Sequence, residues 1–181
     1  MKLYCTPYIP ITDRSAFEAL LPPARLARLA KGETGTGSLF AYALLAYALD
    51  QDVSFDTRSI IYTETGKPYL PGHPVHFSLS HSKTHALCAV AGFAIGCDIE
   101  THRPVSERLK QRILGTEKAS ADFFTHWTLK ESNYKLCGRF ALPAVHWEVY
   151  HDIPDCTAAI VASESFVRPE LALVPPETLL R

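Results

Sequence analysis

Apolar and polar positions along this chain change period several times, and each change marks an element. Residues 2–9 read as a strand, and 15–21 as a short helix stopped by Pro22 and Pro23, because proline cannot continue a helical ladder. A basic helical segment follows, in which Arg25 and Arg28 stand three apart and share one face while Leu26 and Leu29 share another. The stretch 32–37 breaks the chain before an apolar helix over 38–49, with Ser38 as its candidate N-cap.

Strand patterns dominate next. They cover 59–63, then a turn at 65–68, then 75–80, which is entered from Pro71, Gly72 and Pro74. Two apolar runs, 85–91 and 94–100, are joined at Gly92 and Phe93 and predict a hairpin. Beyond Pro104 a helix is expected over 106–114 and a stronger one over 123–137, closed by Gly138 as a C-terminal cap. Strands over 145–151 and 157–163 complete the pattern, and the tail after Pro169 receives no assignment. Helices and antiparallel strands in each half predict an α+β fold of two similar α/β lobes, a pseudo-twofold pair with a cleft between them. The expected lobes are residues 1–102 and 103–181, with the crossover at 101–105.

Composition narrows the function classes. With 181 residues and ordinary apolar and charged fractions, a packed core is expected, and the net charge of −1 argues against broad electrostatic capture of nucleic acid or anionic membrane. The five cysteines are odd in number and form no CxxC pair, so they read as reduced thiols of a cytoplasmic protein. The first twelve residues lack the pattern of a signal peptide, and the apolar run 39–49 is about half a membrane span.

Candidate chemistry is concentrated in two places. Asp98 and Glu100 lie two apart at the end of an apolar strand, so both carboxylates point to one side, an arrangement suited to a hard divalent cation. Glu131 and Lys135 lie one turn apart on the strong helix and add a third carboxylate with an ammonium beside it. Each pair alone also reads as ordinary surface: a solvated strand cap, or an exposed ion pair worth only ~0.3–0.5 kcal/mol. His76, His81 and His85 do not form a zinc set, since they lie across a strand and a turn instead of on one helical face.

The motifs FSLSHS (77–82), GCDIE (96–100) and WTLKESNYK (127–135), in this order and with GKP at 66–68, resemble the motif set of the 4′-phosphopantetheinyl transferase superfamily, nearest its surfactin-synthetase-activating type. The resemblance implies an enzyme that moves phosphopantetheine from coenzyme A to a serine of an apo acyl or peptidyl carrier protein, releasing 3′,5′-ADP. It implies Mg²⁺, or Mn²⁺ in its place, at Asp98, Glu100 and Glu131, with Lys135 near the phosphates and Glu131 or Glu117 as the base. Arg25, Arg28, Ser38, Ser80, His81, Ser82 and Lys83 are implied contacts on the adenosine 3′-phosphate side, and Gly66, Lys67 and Pro68 on the adenine side. A monomer is expected, with neither nucleic acid nor membrane as a partner.

Two departures from the family pattern stand out. Gly37 occupies the place of a usual arginine just before the hydroxyl residue, here Ser38, and the stretch between Glu100 and Trp127 is shorter than in the nearest type. Two rivals share the same residues: a degenerate relative that binds coenzyme A or a carrier without transfer, and a metal-dependent phosphohydrolase.

Overall fold

The structure, a computed structural model, describes residues 1–31, 35–50, 56–72, 74–115, 122–144 and 146–180. In chain order its elements are β1 (Lys2–Pro7), α1 (Ser15–Glu18), α2 (Pro23–Leu29), α3 (Thr36–Asp50), β2 (Ile61–Tyr62), β3 (Pro68–Tyr69), β4 (His76–His81), β5 (His85–Ala91), β6 (Ile95–Thr101), α4 (Glu107–Leu114), α5 (Phe123–Cys137), β7 (Trp147–Tyr150), β8 (Cys156–Ala162) and β9 (Leu171–Leu173). The architecture is α+β, with mainly antiparallel sheets.

Two sheets carry the core. The first has the order β4-β5-β1-β9, antiparallel except for β9, which lies parallel on β1; the second has the order β6-β8-β7. Side chains alternate across a strand, so each sheet has two faces to cover. Tyr4, Phe77, Cys88 and Val90 face α3 and pack with Phe40, Leu44 and Leu45. The alternate residues Leu3, Cys5, Leu87 and Ala89 face the other way and meet Cys97, Ile99, Ala158 and Ile160 of the second sheet. Beyond that sheet, Leu129 and Leu136 of α5 cover Ala159 and Val161. The layers therefore run α3, first sheet, second sheet, α5.

The two helices expected beyond Pro104 are present. The helix α5 has the anticipated span and ends on Gly138 in the left-handed conformation, φ 76°, whose N–H reaches the Tyr134 carbonyl. Ser106 caps α4 through a hydrogen bond from the Leu109 amide. Among the described residues no helix is long and apolar enough to cross a membrane.

Other expectations are corrected. The runs 85–91 and 94–100 form strands but not a hairpin, because β5 pairs with β4 and β1 while β6 pairs with β8. Both strands are buried almost throughout, so their apolar pattern does not specify a neighbour. The hairpin falls one strand earlier, between β4 and β5, where the Ser82 amide donates to the His85 carbonyl at 2.8 Å. The strand expected over 59–63 shrinks to β2, because Thr57–Ser59 form a 3₁₀ turn whose Arg58 amide is drawn back to the Asp56 side chain at 2.9 Å. Ser38 is not a cap: α3 begins at Thr36, and the Ser38 hydroxyl accepts hydrogen bonds from Arg25. Parts of two assignments, residues 32–34 of the glycine-rich break and Val145 of the strand 145–151, lie outside the described residues. The unassigned tail supplies β9 and packs Val174 and Leu179 into the first core.

One glycine sets how close α5 lies to β6. A Cβ on Gly96 would come within 2.0 Å of the Ser132 carbonyl oxygen and 2.8 Å of the Leu136 amide nitrogen, so helix backbone rests directly on strand backbone. Because the obstructing atoms are backbone, no rotamer change relieves the overlap. Gly96→Ala is expected to lower stability by about 3 kcal/mol, the upper end of ordinary overpacking costs, measured by urea denaturation with unchanged m-value.

Candidate active site

The close approach at Gly96 brings the two candidate pairs together. Gly96, Asp98 and Glu100 share the face of β6 that looks at α5, while Glu131 and Lys135 lie one turn apart on the facing side of α5. The Lys135 ammonium donates to Asp98 Oδ1 at 2.8 Å, to Ser80 Oγ at 2.8 Å and to the Cys97 carbonyl at 3.0 Å. Burial alone would push its pKa down, yet Asp98, with a smaller contribution from Glu131, holds it above the ordinary value.

The carboxylates stand in the opposite balance. Glu100 is raised by burial first and then by Asp98, with Glu131 a smaller contribution; Arg103, whose nitrogen is 3.5 Å from the Glu100 carboxylate, pulls it back. Glu131 is raised by burial and by Asp98, against the influence of Lys135. The three acids therefore feel one another, with one ammonium among them. Asp98 itself is only 6% exposed, and its Oδ2 is buried without a hydrogen-bond partner among the described residues. A buried carboxylate oxygen left unpaired is costly, so this one fits a bound cation. Among the described residues, no three His, Cys, Asp or Glu side chains form a ready-made metal cage.

β4 holds this arrangement from the other side. Its inner-face serines meet the free edge of β6: the Cys97 amide donates to Ser78 Oγ at 3.0 Å, the Ile99 amide to Ser80 Oγ at 3.3 Å, and Thr101 Oγ1 to Ser82 Oγ at 2.9 Å. Serines at i, i+2 and i+4 thus match residues at the same spacing on β6, and side chains replace a backbone ladder between the two sheets. Ser82 is used up in this seam and in the adjoining turn, where Lys83 stands exposed.

A cavity of about 550 Å³ reaches one of the acids, with Glu131, Tyr134 and Lys135 on one wall and Gly66, Lys67 and Pro68 on another. Gly66 has φ 82°, which a residue with a side chain rarely adopts, in a turn tied by Thr63 to Lys67. Lys67 donates to the Ile95 carbonyl at 2.9 Å, and burial lowers its pKa.

A second basic group lies nearby. Arg25 donates from Nε to Ser38 Oγ at 3.0 Å and also from a terminal nitrogen, while Arg28 stands exposed one turn along α2. His81 connects this group to the first: burial lowers its pKa, followed by Lys135 and then Arg25. The departure at Gly37 has a local cause. A Cβ there would lie 2.6 Å from His81 Cγ and Nδ1, so the imidazole occupies the space that a side chain at 37 would need.

Several other residues of the motif 127–135 hold the helix in place. Lys130 turns to the Ile113 carbonyl at the end of α4, Ser132 donates to the Ala159 carbonyl at 3.1 Å, and the Asn133 amide holds the Arg139 and Ala141 carbonyls at 3.0 Å each. Trp127 packs against Phe123 and Phe140. Glu117 and its neighbour Thr116 lie outside the described residues. The seam duty of Ser78 and the helix contact at Gly96 were not anticipated, because they depend on which strand edges meet; the only hint was the serine spacing itself.

No family model matches the chain. Among curated proteins it matches a 4′-phosphopantetheinyl transferase of Bacillus subtilis, 36% identical over 110 residues, covering 54% of this chain and 47% of the relative. It also matches the 4′-phosphopantetheinyl transferase psf-1 of Bacillus pumilus, 27% identical over 162 residues, 77% of this chain and 70% of that one. The chain is similar to 4′-phosphopantetheinyl transferases. The resemblance read from the motifs is thereby borne out. A holo-[acyl-carrier-protein] synthase of Geobacillus kaustophilus is 35% identical over 74 residues, 39% of this chain and 57% of the relative. The chain spans about half the length of the first curated transferases it matches, 47% and 45%.

Gly37 yields a test by reversal of sign. Gly37→Ala is expected to destabilise by roughly 1–3 kcal/mol through the imidazole, but to stabilise by roughly 0.5–1 kcal/mol once His81→Ala has cleared the space, since alanine is the better helix former. Thermal denaturation of the four proteins of that cycle measures it.

Proposed function

We propose that this protein is a divalent-metal-dependent 4′-phosphopantetheinyl transferase that moves phosphopantetheine from coenzyme A to a serine of an apo acyl or peptidyl carrier protein. The observation that carries this reading is the cation-deficient acid group at the β6–α5 contact, with the unpaired Asp98 oxygen, beside a cavity that also holds Lys135 and the 66–68 turn. The motif resemblance and the similarity to curated transferases support it.

In this reading Asp98, Glu100 and Glu131 hold Mg²⁺, or Mn²⁺ in its place. The bound ion supplies Lewis acidity and charge neutralisation at the pyrophosphate. Arg25, Arg28, His81 and Lys83, with Ser38 and the backbone of the 80–82 segment, bind the 3′-phosphate side of coenzyme A, and Gly66, Lys67 and Pro68 bound the adenine. Lys135 neutralises charge that grows on the phosphate oxygens as the bond to the leaving group lengthens. Glu131, or Glu117 through water, takes the serine proton. The serine oxygen bonds to the β-phosphorus, the bond from that phosphorus to the bridging oxygen breaks, and 3′,5′-ADP leaves. Positioning and electrostatics supply most of such a step. The carrier docks on the second lobe near Phe123, Phe124, Leu136 and the 138–143 loop, where Phe140 and Leu142 are exposed. The lobes 1–102 and 103–181 are read as similar halves about the cleft, in a cytoplasmic monomer.

Incubation with coenzyme A, Mg²⁺ and a panel of apo carriers, followed by intact mass, tests the reading. One phosphopantetheine is expected on the carrier serine with stoichiometric 3′,5′-ADP; 3′,5′-ADP released without a carrier adduct, or bound coenzyme A with no product, overturns it. Asp98→Asn is expected to lower kcat by on the order of 10²-fold or more. In thermal denaturation Mg²⁺ at a hundred times its dissociation constant stabilises the unaltered protein by about 2.7 kcal/mol and leaves Asp98→Asn unchanged.

A further inference from the structure

The resemblance assigns Ser80 to the 3′-phosphate side of coenzyme A, and its hydroxyl is where that assignment meets a limit. A serine hydroxyl offers one proton and two lone pairs. In this structure the proton goes to Asp98 Oδ1 at 2.7 Å, and the lone pairs accept from Lys135 Nζ at 2.8 Å and from the Ile99 amide at 3.3 Å. Ser80 is 6% exposed, so no fourth partner reaches it without one of these bonds breaking. Two of its three partners are the side chains at the centre of the acid group, and the third is the backbone of the strand that carries Asp98.

We propose that Ser80 is a positioning residue whose hydroxyl fixes the Lys135 ammonium against Asp98, rather than a contact of the nucleotide. This rests on the reading of the site as a transferase centre. Lys135 has a long, flexible stem, and three acceptors converge on its ammonium from two strands: Ser80 on β4, and the Cys97 carbonyl and Asp98 on β6. Without the hydroxyl the Ile99 amide loses its acceptor, the Asp98 oxygen loses a donor, and the ammonium keeps two partners on one strand instead of three on two. Ser78 is the internal comparison, since it accepts from the Cys97 amide in the same seam and touches neither Lys135 nor Asp98.

The test compares Ser80→Ala, Ser80→Thr and Ser78→Ala with the unaltered protein. Its first readout, which needs no activity, is the ¹H–¹⁵N resonance of the Lys135 ammonium, visible when hydrogen bonds slow its exchange with water. It is expected to vanish in Ser80→Ala, and to persist in Ser80→Thr, which keeps the hydroxyl, and in Ser78→Ala. The second readout is affinity for 3′,5′-ADP, expected to stay within about three-fold in Ser80→Ala while kcat falls by on the order of 10²-fold. Should Ser80→Ala not fold, Ser80→Cys takes its place, with a thiol too weak an acceptor to hold the ammonium. A resonance that survives loss of the hydroxyl, or 3′,5′-ADP affinity that drops ten-fold or more with kcat little changed, overturns the proposal. If the unaltered protein transfers nothing to any carrier, the parent reading fails, while the resonance still decides what Ser80 holds.

Discussion

The site depends on helix backbone resting against strand backbone at Gly96. A side chain there would overlap the Ser132 carbonyl, so only glycine lets α5 settle deeply enough for Lys135 to reach Asp98 across the contact. The consequences run outward from this point. Ser132 ties the same turn of α5 to the Ala159 carbonyl of β8, Asn133 shapes the loop that follows, and Lys130 anchors the helix to the end of α4. A motif that reads as chemistry is therefore mostly scaffolding: two of its side chains face the acid group, and most of the others hold the helix in register.

The second constraint is electrostatic. Burial raises Glu100 and Glu131, the Asp98 carboxylate raises both further, and two cations offset the group, Lys135 at Asp98 and Glu131 and Arg103 at Glu100. Charges removed from water stabilise a fold only when nearly every lone pair and proton is satisfied, and one Asp98 oxygen is not. An uncompensated site of this kind costs stability in the free protein and gains it back on binding a cation. Such a pattern is expected where binding, rather than folding, is the purpose.

Much of this was legible in the sequence. The period-two placement of Asp98 and Glu100 and the one-turn spacing of Glu131 and Lys135 gave each pair its face, and the span of α5 followed from its pattern and from Gly138. What stayed hidden was whatever depends on non-local pairing. The strands 85–91 and 94–100 looked like a hairpin because a glycine-containing connection joins two apolar runs, yet they serve different sheets. Ser38 looked like a cap, but its hydroxyl is claimed by Arg25 from the preceding helix. Gly37 looked like a loss, and the structure finds an imidazole in the space it leaves. The serine spacing from Ser78 to Ser82 hinted at a seam but did not name the edge it would meet.

The central claim is that Asp98, Glu100 and Glu131 share one divalent ion. Crystals of the protein grown with Mn²⁺ and coenzyme A test it most directly through anomalous diffraction at the manganese edge. The account predicts one peak bonded to all three carboxylates, with the previously unpaired Asp98 oxygen among its ligands and Lys135 against the phosphates. A peak elsewhere, or coenzyme A bound in the cleft with no ion at these acids, contradicts it.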